Sequence, residues 1–556
     1  MINPHQSKNV PSPPRLSALR HFGMADLIAS SSGGAGTSTV ASPETLATIA
    51  GFGLSEAEVA RLMGEAVAWS ATNGLQMMLS SESSTHAPFS LLPMRFPASE
   101  FNAAADLSAL YNLLVDRVSR DPDWLCGVLK GVIEHDQFTG RLVAICDAAR
   151  ADAERQEAYL GIFRSDYMLH EPVAAPAAPG AASGATPAPR LLQVELNTIA
   201  SSFASLGSKV ASLHRFLAGR HIGGDGCARL RGSLGVDGDS AESVATAVEE
   251  HLPHNRAIEE LPAAIAAAHA HYGATEARAT ILFVVQPGEV NTVDQRWLEY
   301  ALWEKHGALP VLRRTLGEVH AQAELVGERR RLILTDAAGI RTEVTVAYFR
   351  AGYRPEDYPA EAEWAARLLV ERSFAIKCPS IAYHLAGTKK VQQVLAAPSM
   401  LERFLSADEA VRLRASFAGL YDLDDLSSAN TAAIVQKASA EPENFVLKPQ
   451  REGGGNNFYG QELRESLATM PPKELAGYIL MQRIFPRKYP AILVRGGRYA
   501  AGNTISELGM FGVILADKDR VVLNKHAGYL LRTKLEGTDE GGVATGFAVL
   551  NAPWLQ

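Results

Sequence analysis

The sequence predicts a mixed α/β (α+β) fold with an α/β block mid-chain and antiparallel strands near the end. Three observations carry this. Residues 44–80 and 103–163 space Leu, Ala and Met three or four apart, the period of a helix buried on one face. Residues 279–388 alternate strand-like and helix-like segments, as βαβ units do. The last third strings strand-like runs on glycine-rich turns. Parallel-type pairing early and antiparallel pairing late point to a ligand clamped between subdomains.

After the two helical stretches, LLQVELNTI (191–199) reads as a strand running into a turn. ATILFVVQ (279–286) is a strong strand, and QRWLEYALWEKHG (295–307) is a helix with Gly307 as its C-cap. PVLRRT, RRLILTD and EVTVAYFR follow as strands. Later, FVLKPQ, YILMQRIF and PAILVRGG are strand-like, and LGMFGVILAD and RVVLNKHAGYLL form a pair joined at Lys518-Asp519. Two stretches lie outside this pattern. The first 45 residues are rich in Ser, Pro and Gly and lack an apolar h-region; they read as a disordered tail, with an organelle transit peptide as the alternative. Residues 171–190, EPVAAPAAPGAASGATPAPR, have no means of burying a core and read as a mobile insertion.

Composition narrows the function. The chain has 556 residues, 47% of them hydrophobic and 21% charged, an ordinary globular balance. A net charge of −8 and a pI near 6.0 give no global attraction to nucleic acid or anionic membranes. No apolar run approaches the ~18 residues of a membrane span. Four scattered cysteines without CxxC spacing indicate reduced thiols in a cytoplasmic protein rather than disulfides or zinc.

Residues 446–460, VLKPQREGGGNNFYG, carry the sharpest signal. Three consecutive glycines let the backbone approach a ligand closely, and their N–H groups can cradle an anion. Lys448 and Arg451 add positive charge. Glu452 belongs beside phosphate only if a divalent cation lies between them, as Mg²⁺ does. A flexible surface hairpin would have the same composition. The P-loop and G-x-G-x-x-G patterns are absent. VELNTIASSF (194–203) places Glu195 and Asn197 on one face of a strand, a carboxylate and an amide oxygen suited to a hard cation. HAGYLLRTK (526–534) sets Arg532 and Lys534 two apart, and EGGVATGF (540–547) is a second small-residue loop.

These stretches, with FRSDYM (163–168), VDQR (293–296), YFRAGY (348–353), ERSFAIKCP (371–379), LAGTKKVQQ (385–393) and ISELGMFG (505–512), run in the order of one family. The chain resembles the eukaryotic-type glutathione synthetases, which are ATP-grasp ligases. The resemblance implies an ATP-grasp architecture with a small α/β substrate-binding subdomain at 279–388 and a Gly-rich lid. It divides the rest into an extension (1–45), a helical part with the first ATP-grasp strands (46–278), and an ATP-grasp/lid region (389–556). It further implies ligation of γ-glutamylcysteine to glycine with ATP, Mg²⁺ as cofactor, and a homodimer.

The residue roles also come from the resemblance. Glu195, Asn197 and Glu452 correspond to Mg²⁺ ligands. Lys389, Lys448 and Lys534 fall at phosphates, with Gly453, Gly454, Gly455, Asn456, Asn457 and Tyr459 in the lid. Met481, Gln482, Arg483 and Ile484 lie beside adenine, where backbone groups read the base; Gln482 stands where the family usually has Glu. Glu507, at the ribose, and Glu540, in place of Asp, are further ATP positions. Arg164, Ile199, Ser201, Ser202, Glu289, Asn291, Gln295, Arg350 and Tyr353 match dipeptide positions. Val543 and Ala544 match the acceptor end with Arg532, which together with Gly453 and Gly454 is the catalytic candidate. Small residues at 541–547 favour glycine over β-alanine as acceptor. A nucleotide-binding pseudo-enzyme would have lost a ligand or a cation, and none is missing here.

Overall fold

In a computed structural model the protein is described over residues 42–152, 156–171, 188–221, 228–274, 276, 278–450, 457–537, 542–543 and 546–556. The described chain starts with two capped helices. Pro43–Gly51 begins under Ser42, whose Oγ accepts the Thr45 N–H at 3.2 Å, and Glu56–Thr72 begins with a Ser55/Glu58 capping box. The expected helix 44–80 ends there, because β1 (Gln76–Met78) turns back on β2 (Ser84–His86). β3 (Phe89–Ser90) and β4 (Met94–Phe96) precede helices Ala98–Ser119, Pro122–Ile133 and Gln137–Arg150.

The helix expected over 103–163 is also too long. Residues from Ala158 belong to β5 (Ala158–His170), which is buried at all but two of its positions. A strand buried on both faces reads as a continuous apolar run, and periodicity does not separate it from a helix. β5 pairs antiparallel with β6 (Arg190–Asn197), the strand expected at 191–199.

After four further helices, β7 (Ala279–Val284), the helix Thr292–Lys305, β8 (Val311–Arg314), β9 (Ala323–Val326), β10 (Arg331–Thr335), β11 (Arg341–Phe349) and β12 (Ile376–Cys378) build a six-stranded mixed sheet. β7 pairs in parallel with β8 and β11, and β12 pairs in parallel with β11. β9 and β10 continue the sheet antiparallel. Gly307 takes φ 75° just past the helix end, as its C-cap role requires.

β13 (Leu420–Tyr421), β14 (Phe445–Pro449) and β15 (Tyr478–Gln482) form a small antiparallel sheet. β16 (Tyr489–Arg495), β17 (Arg498–Asp517), β18 (Arg520–Leu535) and β19 (Val549–Asn551) complete the largest sheet, of order β16-β3-β19-β18-β17-β5-β6. β20 (Pro553–Leu555) pairs with β4. Helices Ala98–Ser119, Ala204–His221 and Ala257–Tyr272 pack against β18, the first and third also against β17, and residues 508–516 of β17 are buried throughout. A sheet buried under helices thus carries the charged side chains described next.

Candidate active site

Four neighbouring strands bring the charged candidates together. Cross-strand register pairs Arg164 with Asn197 and Asp166 with Glu195 between β5 and β6. It pairs Asp166 with Gly509 between β5 and β17, and Glu507 with Arg532 between β17 and β18. Arg164 forks onto Asp166, Nε to Oδ1 at 2.6 Å and Nη2 to Oδ2 at 2.8 Å. Asn197 Nδ2 donates to Asp166 Oδ2 at 3.0 Å and to Glu195 Oε1 at 3.3 Å. Arg532 Nη2 donates to Asp166 Oδ2 at 3.0 Å and also to Glu507. Asp166 was not a sequence candidate. Its signal lay in FRSDYM, where it follows Arg164 by two and so shares its face.

The lysines come from two other elements and from β18 itself. Lys389 opens the helix Lys389–Leu395, with Nζ 4.0 Å from Glu195 Oε2. A Cβ on Gly387 would lie 2.2 Å from Thr198 Oγ1, so glycine is what lets this turn abut the end of β6. Its neighbour Lys390 faces away, to Asp422 and Asp424 at 2.8 and 2.6 Å. Lys448, on β14, reaches the Val194 carbonyl at 3.3 Å, and Lys534 is buried on β18 two residues beyond Arg532. Burial pushes the Glu195 carboxyl up, but Lys389, Lys448, Arg532 and Arg164 outweigh it and hold it at about 2. Burial opposes the Arg532 charge, yet Glu507, Asp166 and Glu195 raise its affinity for the proton. Burial raises the Glu507 carboxyl, against the pull of Arg532.

Among the described residues no three His, Cys, Asp or Glu side chains gather to hold a metal. Glu195 and Asn197 do meet, through Asn197 Nδ2 on the Glu195 carboxylate; the carboxylate and the amide oxygen of this pair are of the hard-donor type that Mg²⁺ prefers. The third expected ligand, Glu452, lies outside the described residues, as do Gly453, Gly454, Gly455, Asn456, Glu540 and Ala544.

The adenine-side candidates meet in a small apolar cluster. Met481 sits between Leu420 and Val446 in the β13-β15-β14 sheet, packed with Tyr459 and Ile484. Asn457 Nδ2 donates to the Tyr459 hydroxyl at 3.3 Å, and Arg483 lies 5.4 Å from the Tyr459 ring centroid. The Gln482 and Arg483 N–H groups donate to Gly419 O and Asn444 O, both at 2.8 Å. Those two amides are therefore engaged within the fold and are not the ones that would read a base.

The dipeptide candidates line the end of the six-stranded sheet. Glu289 accepts the Asn291 N–H at 2.8 Å and Gln295 Nε2 at 3.0 Å, and Gln295 Oε1 accepts from Arg313, another residue missed in the sequence, at 2.7 Å. Tyr353 OH accepts from Gln286 at 3.3 Å. Val543 is buried, its carbonyl accepting the Gly546 N–H at 3.1 Å. Asn291 Oδ1 and Arg350 Nε are buried without a partner. An unmet buried acceptor and donor cost about 1–3 kcal/mol each, so a polar ligand here would be welcome.

The loop 198–203 joins the two groups. Arg350 donates to Ser201 O at 2.8 Å from one side, and Arg164 to Ser202 O at 3.2 Å from the other. Ile199 anchors the loop in the core of the six-stranded sheet. Ala200 and Phe203 hold φ of 52° and 67°, strained for non-glycine residues. Buried Asp294 holds the Phe203 end of the loop, accepting the Phe203, Ser205 and Leu206 N–H groups at 2.7, 2.9 and 3.1 Å.

The family model of the eukaryotic glutathione synthase ATP-binding domain matches residues 56–555. The chain is 42% identical over 510 residues to the chloroplastic glutathione synthetase of Solanum lycopersicum, covering 89% of this chain and 84% of that one. It is 39% identical over 511 residues to the glutathione synthetase of Dictyostelium discoideum (89% and 98%) and 40% identical over 479 residues to that of Homo sapiens (85% and 91%). Its fold is like that of a glutathione synthetase-like effector from Globodera pallida in the apo form. The TM-score is 0.67 at 22% identity, covering 91% of this chain and 99% of that one.

Proposed function

The chain belongs to the eukaryotic glutathione synthase family, and from that premise we propose that it joins γ-L-glutamyl-L-cysteine to glycine, converting ATP to ADP and phosphate. It is an ATP-dependent carbon–nitrogen ligase that makes glutathione. One observation carries the reading. The loop 198–203 is gripped by Arg164, from the charged cluster, and by Arg350, whose own Nε is buried and unmet. A phosphate-type site and an amino-acid-type site thus share one short backbone segment.

A carboxylate repels nucleophiles, so it must first be activated. An oxygen of the cysteinyl carboxylate attacks the γ-phosphorus of ATP. The bond to the β–γ bridging oxygen breaks, and ADP leaves behind an acylphosphate. The glycine nitrogen then attacks the acyl carbon, phosphate departs with the bonding pair, and the nitrogen loses a proton. Most of the rate comes from positioning and charge. Lys389, Lys448 and Lys534 offset phosphate charge, and Arg532 stabilises the reacting carboxylate and the tetrahedral oxyanion. Glu195 and Asn197, with Glu452, would hold Mg²⁺, whose charge neutralises phosphate oxygens. Arg350 and Asn291 suit the carboxylate and ammonium of the γ-glutamyl head, and Glu289, Gln295 and Tyr353 flank them. By the family resemblance, Gly453, Gly454 and Gly455 would keep water from the acylphosphate. Met481 and Ile484 flank the adenine, and Glu507 borders the nucleotide. Val543 and Ala544 shape the acceptor end for glycine.

We also propose a cytoplasmic homodimer. No helix of the described residues is long and apolar enough to cross a membrane. The chloroplastic location belongs to the plant relatives; residues 1–45 are where an organelle address would lie here.

The test is ADP release by the full chain with Mg²⁺, ATP and γ-glutamylcysteine, with glycine and β-alanine supplied separately and the products weighed. Release that follows glycine and yields glutathione is the expected result. A preference for β-alanine would overturn the acceptor, and no release with either amine would overturn the ligase reading.

A further inference from the structure

Asp166 is fully buried at the point where three proposed functional residues meet. Four N–H donors converge on its two oxygens: two from Arg164 and one each from Asn197 and Arg532. The three residues that donate belong to three different tasks in the proposed reaction, namely the dipeptide, the cation and the reacting carboxylate. The amide of Asn197 has one donor end and one acceptor end. Nδ2 is held by Asp166 and Glu195, which fixes the plane of the amide and leaves Oδ1 as its acceptor end. Gly509 supplies a second, independent observation. It faces Asp166 in the β5–β17 register, and a Cβ there would lie 2.6 Å from Asp166 Oδ1 and 2.7 Å from Arg164 Cδ. The sheet leaves out a side chain so that the Arg164–Asp166 fork can lie flat.

We propose that Asp166 is a positioning residue that fixes Arg164, Arg532 and the amide of Asn197 in one arrangement, so that cation, dipeptide and reacting carboxylate are presented together. This rests on the ligase reading for the task of each residue, but the geometry stands without it. Both Asp166 oxygens are taken by protein N–H donors. Its action runs through the groups it orients, as outer-shell carboxylates act on metal ligands.

The decisive variant is Asp166→Asn. It keeps the shape but offers one acceptor oxygen and an NH₂ donor to four converging donors, so the cluster must rearrange. The companion is Gly509→Ala, which keeps the carboxylate and crowds the fork. Three readouts are needed on the full chain: Mn²⁺ binding with ADP by electron paramagnetic resonance, kcat and KM for γ-glutamylcysteine, and the melting temperature. Expected for Asp166→Asn is a loss of Mn²⁺ affinity of about 10–100-fold, with a raised KM for the dipeptide and a lowered kcat. Gly509→Ala should shift all three in the same directions by less. A folded Asp166→Asn protein with wild-type Mn²⁺ affinity and wild-type dipeptide KM overturns the proposal. Should Asp166→Asn fail to fold, Gly509→Ala decides, and wild-type values there overturn it equally. Should the wild type fail to ligate, the Mn²⁺ titration still reads the hold on Asn197, so the two failures are distinct.

Discussion

Replacing Arg532 with Met is expected to lower kcat by about 10²–10³-fold, the usual effect of removing one preorganised donor from a developing oxyanion. The guanidinium lies on β18 between Asp166 and Glu507, with its side chain only 16% exposed. Its charge is held by carboxylates before substrate arrives, so it needs no reorganisation when the reacting carboxylate takes over part of that contact. Arg532→Lys should recover only part of the loss, because an ammonium does not reproduce the planar fork. Arg532→Met also leaves Asp166 and Glu507 without their shared cation, and some stability will go with it. The account therefore requires kcat to fall well beyond what any fraction of unfolded protein explains. A folded Arg532→Met enzyme with kcat within a few-fold of wild type would remove Arg532 from the chemistry.

Glu195→Gln should have two effects of different origin. In turnover, loss of the carboxylate should raise the Mg²⁺ requirement sharply and lower kcat by ~10²-fold or more, since the charge that would hold the cation beside phosphate is gone. In the apo protein, the same change should destabilise the fold by about 2 kcal/mol at pH 7, a discounted conversion of the lowered carboxyl at 1.36 kcal/mol per unit. The direction with pH follows from the shift. The Glu195 carboxyl falls from an ordinary 4.5 to about 2 on folding. Its stabilisation is fully present above 4.5 and is lost as the pH falls towards 2. Urea unfolding of the two proteins at a series of pH values should show a gap that is widest near neutrality and closes below pH 4.5. A constant gap would mean that the four surrounding cations do not act on this carboxylate.

Local patterns made much of this legible in the sequence. Glu195 and Asn197 were readable as a pair because strand alternation alone puts them on one face, and their side chains meet at 3.3 Å. The β17–β18 hairpin was readable from two apolar runs around Lys518-Asp519, and Gly307 from the end of its helix. β5 was not, because a strand buried on both faces has no period to betray it. Asp166 was missed for another reason: FRSDYM sets it on the face of Arg164, but its donors from β6 and β18 come from distant parts of the chain. Asp294 and Arg313 were missed because their partners lie 88–91 and 18 residues away, in contacts that only the folded sheet creates. The choice of Lys389 over Lys390 acquired a physical reason only in the fold, where Asp422 and Asp424 claim Lys390.

The central claim is that a carboxylate of the dipeptide becomes an acylphosphate, a mixed anhydride, before the amine attacks. It is tested most directly with γ-glutamylcysteine whose cysteinyl carboxylate carries oxygen-18 at both positions, turned over with ATP and glycine in ordinary water. The account predicts one labelled oxygen in each phosphate released and the other in the new peptide carbonyl of glutathione. Glutathione formed alongside unlabelled phosphate would contradict it.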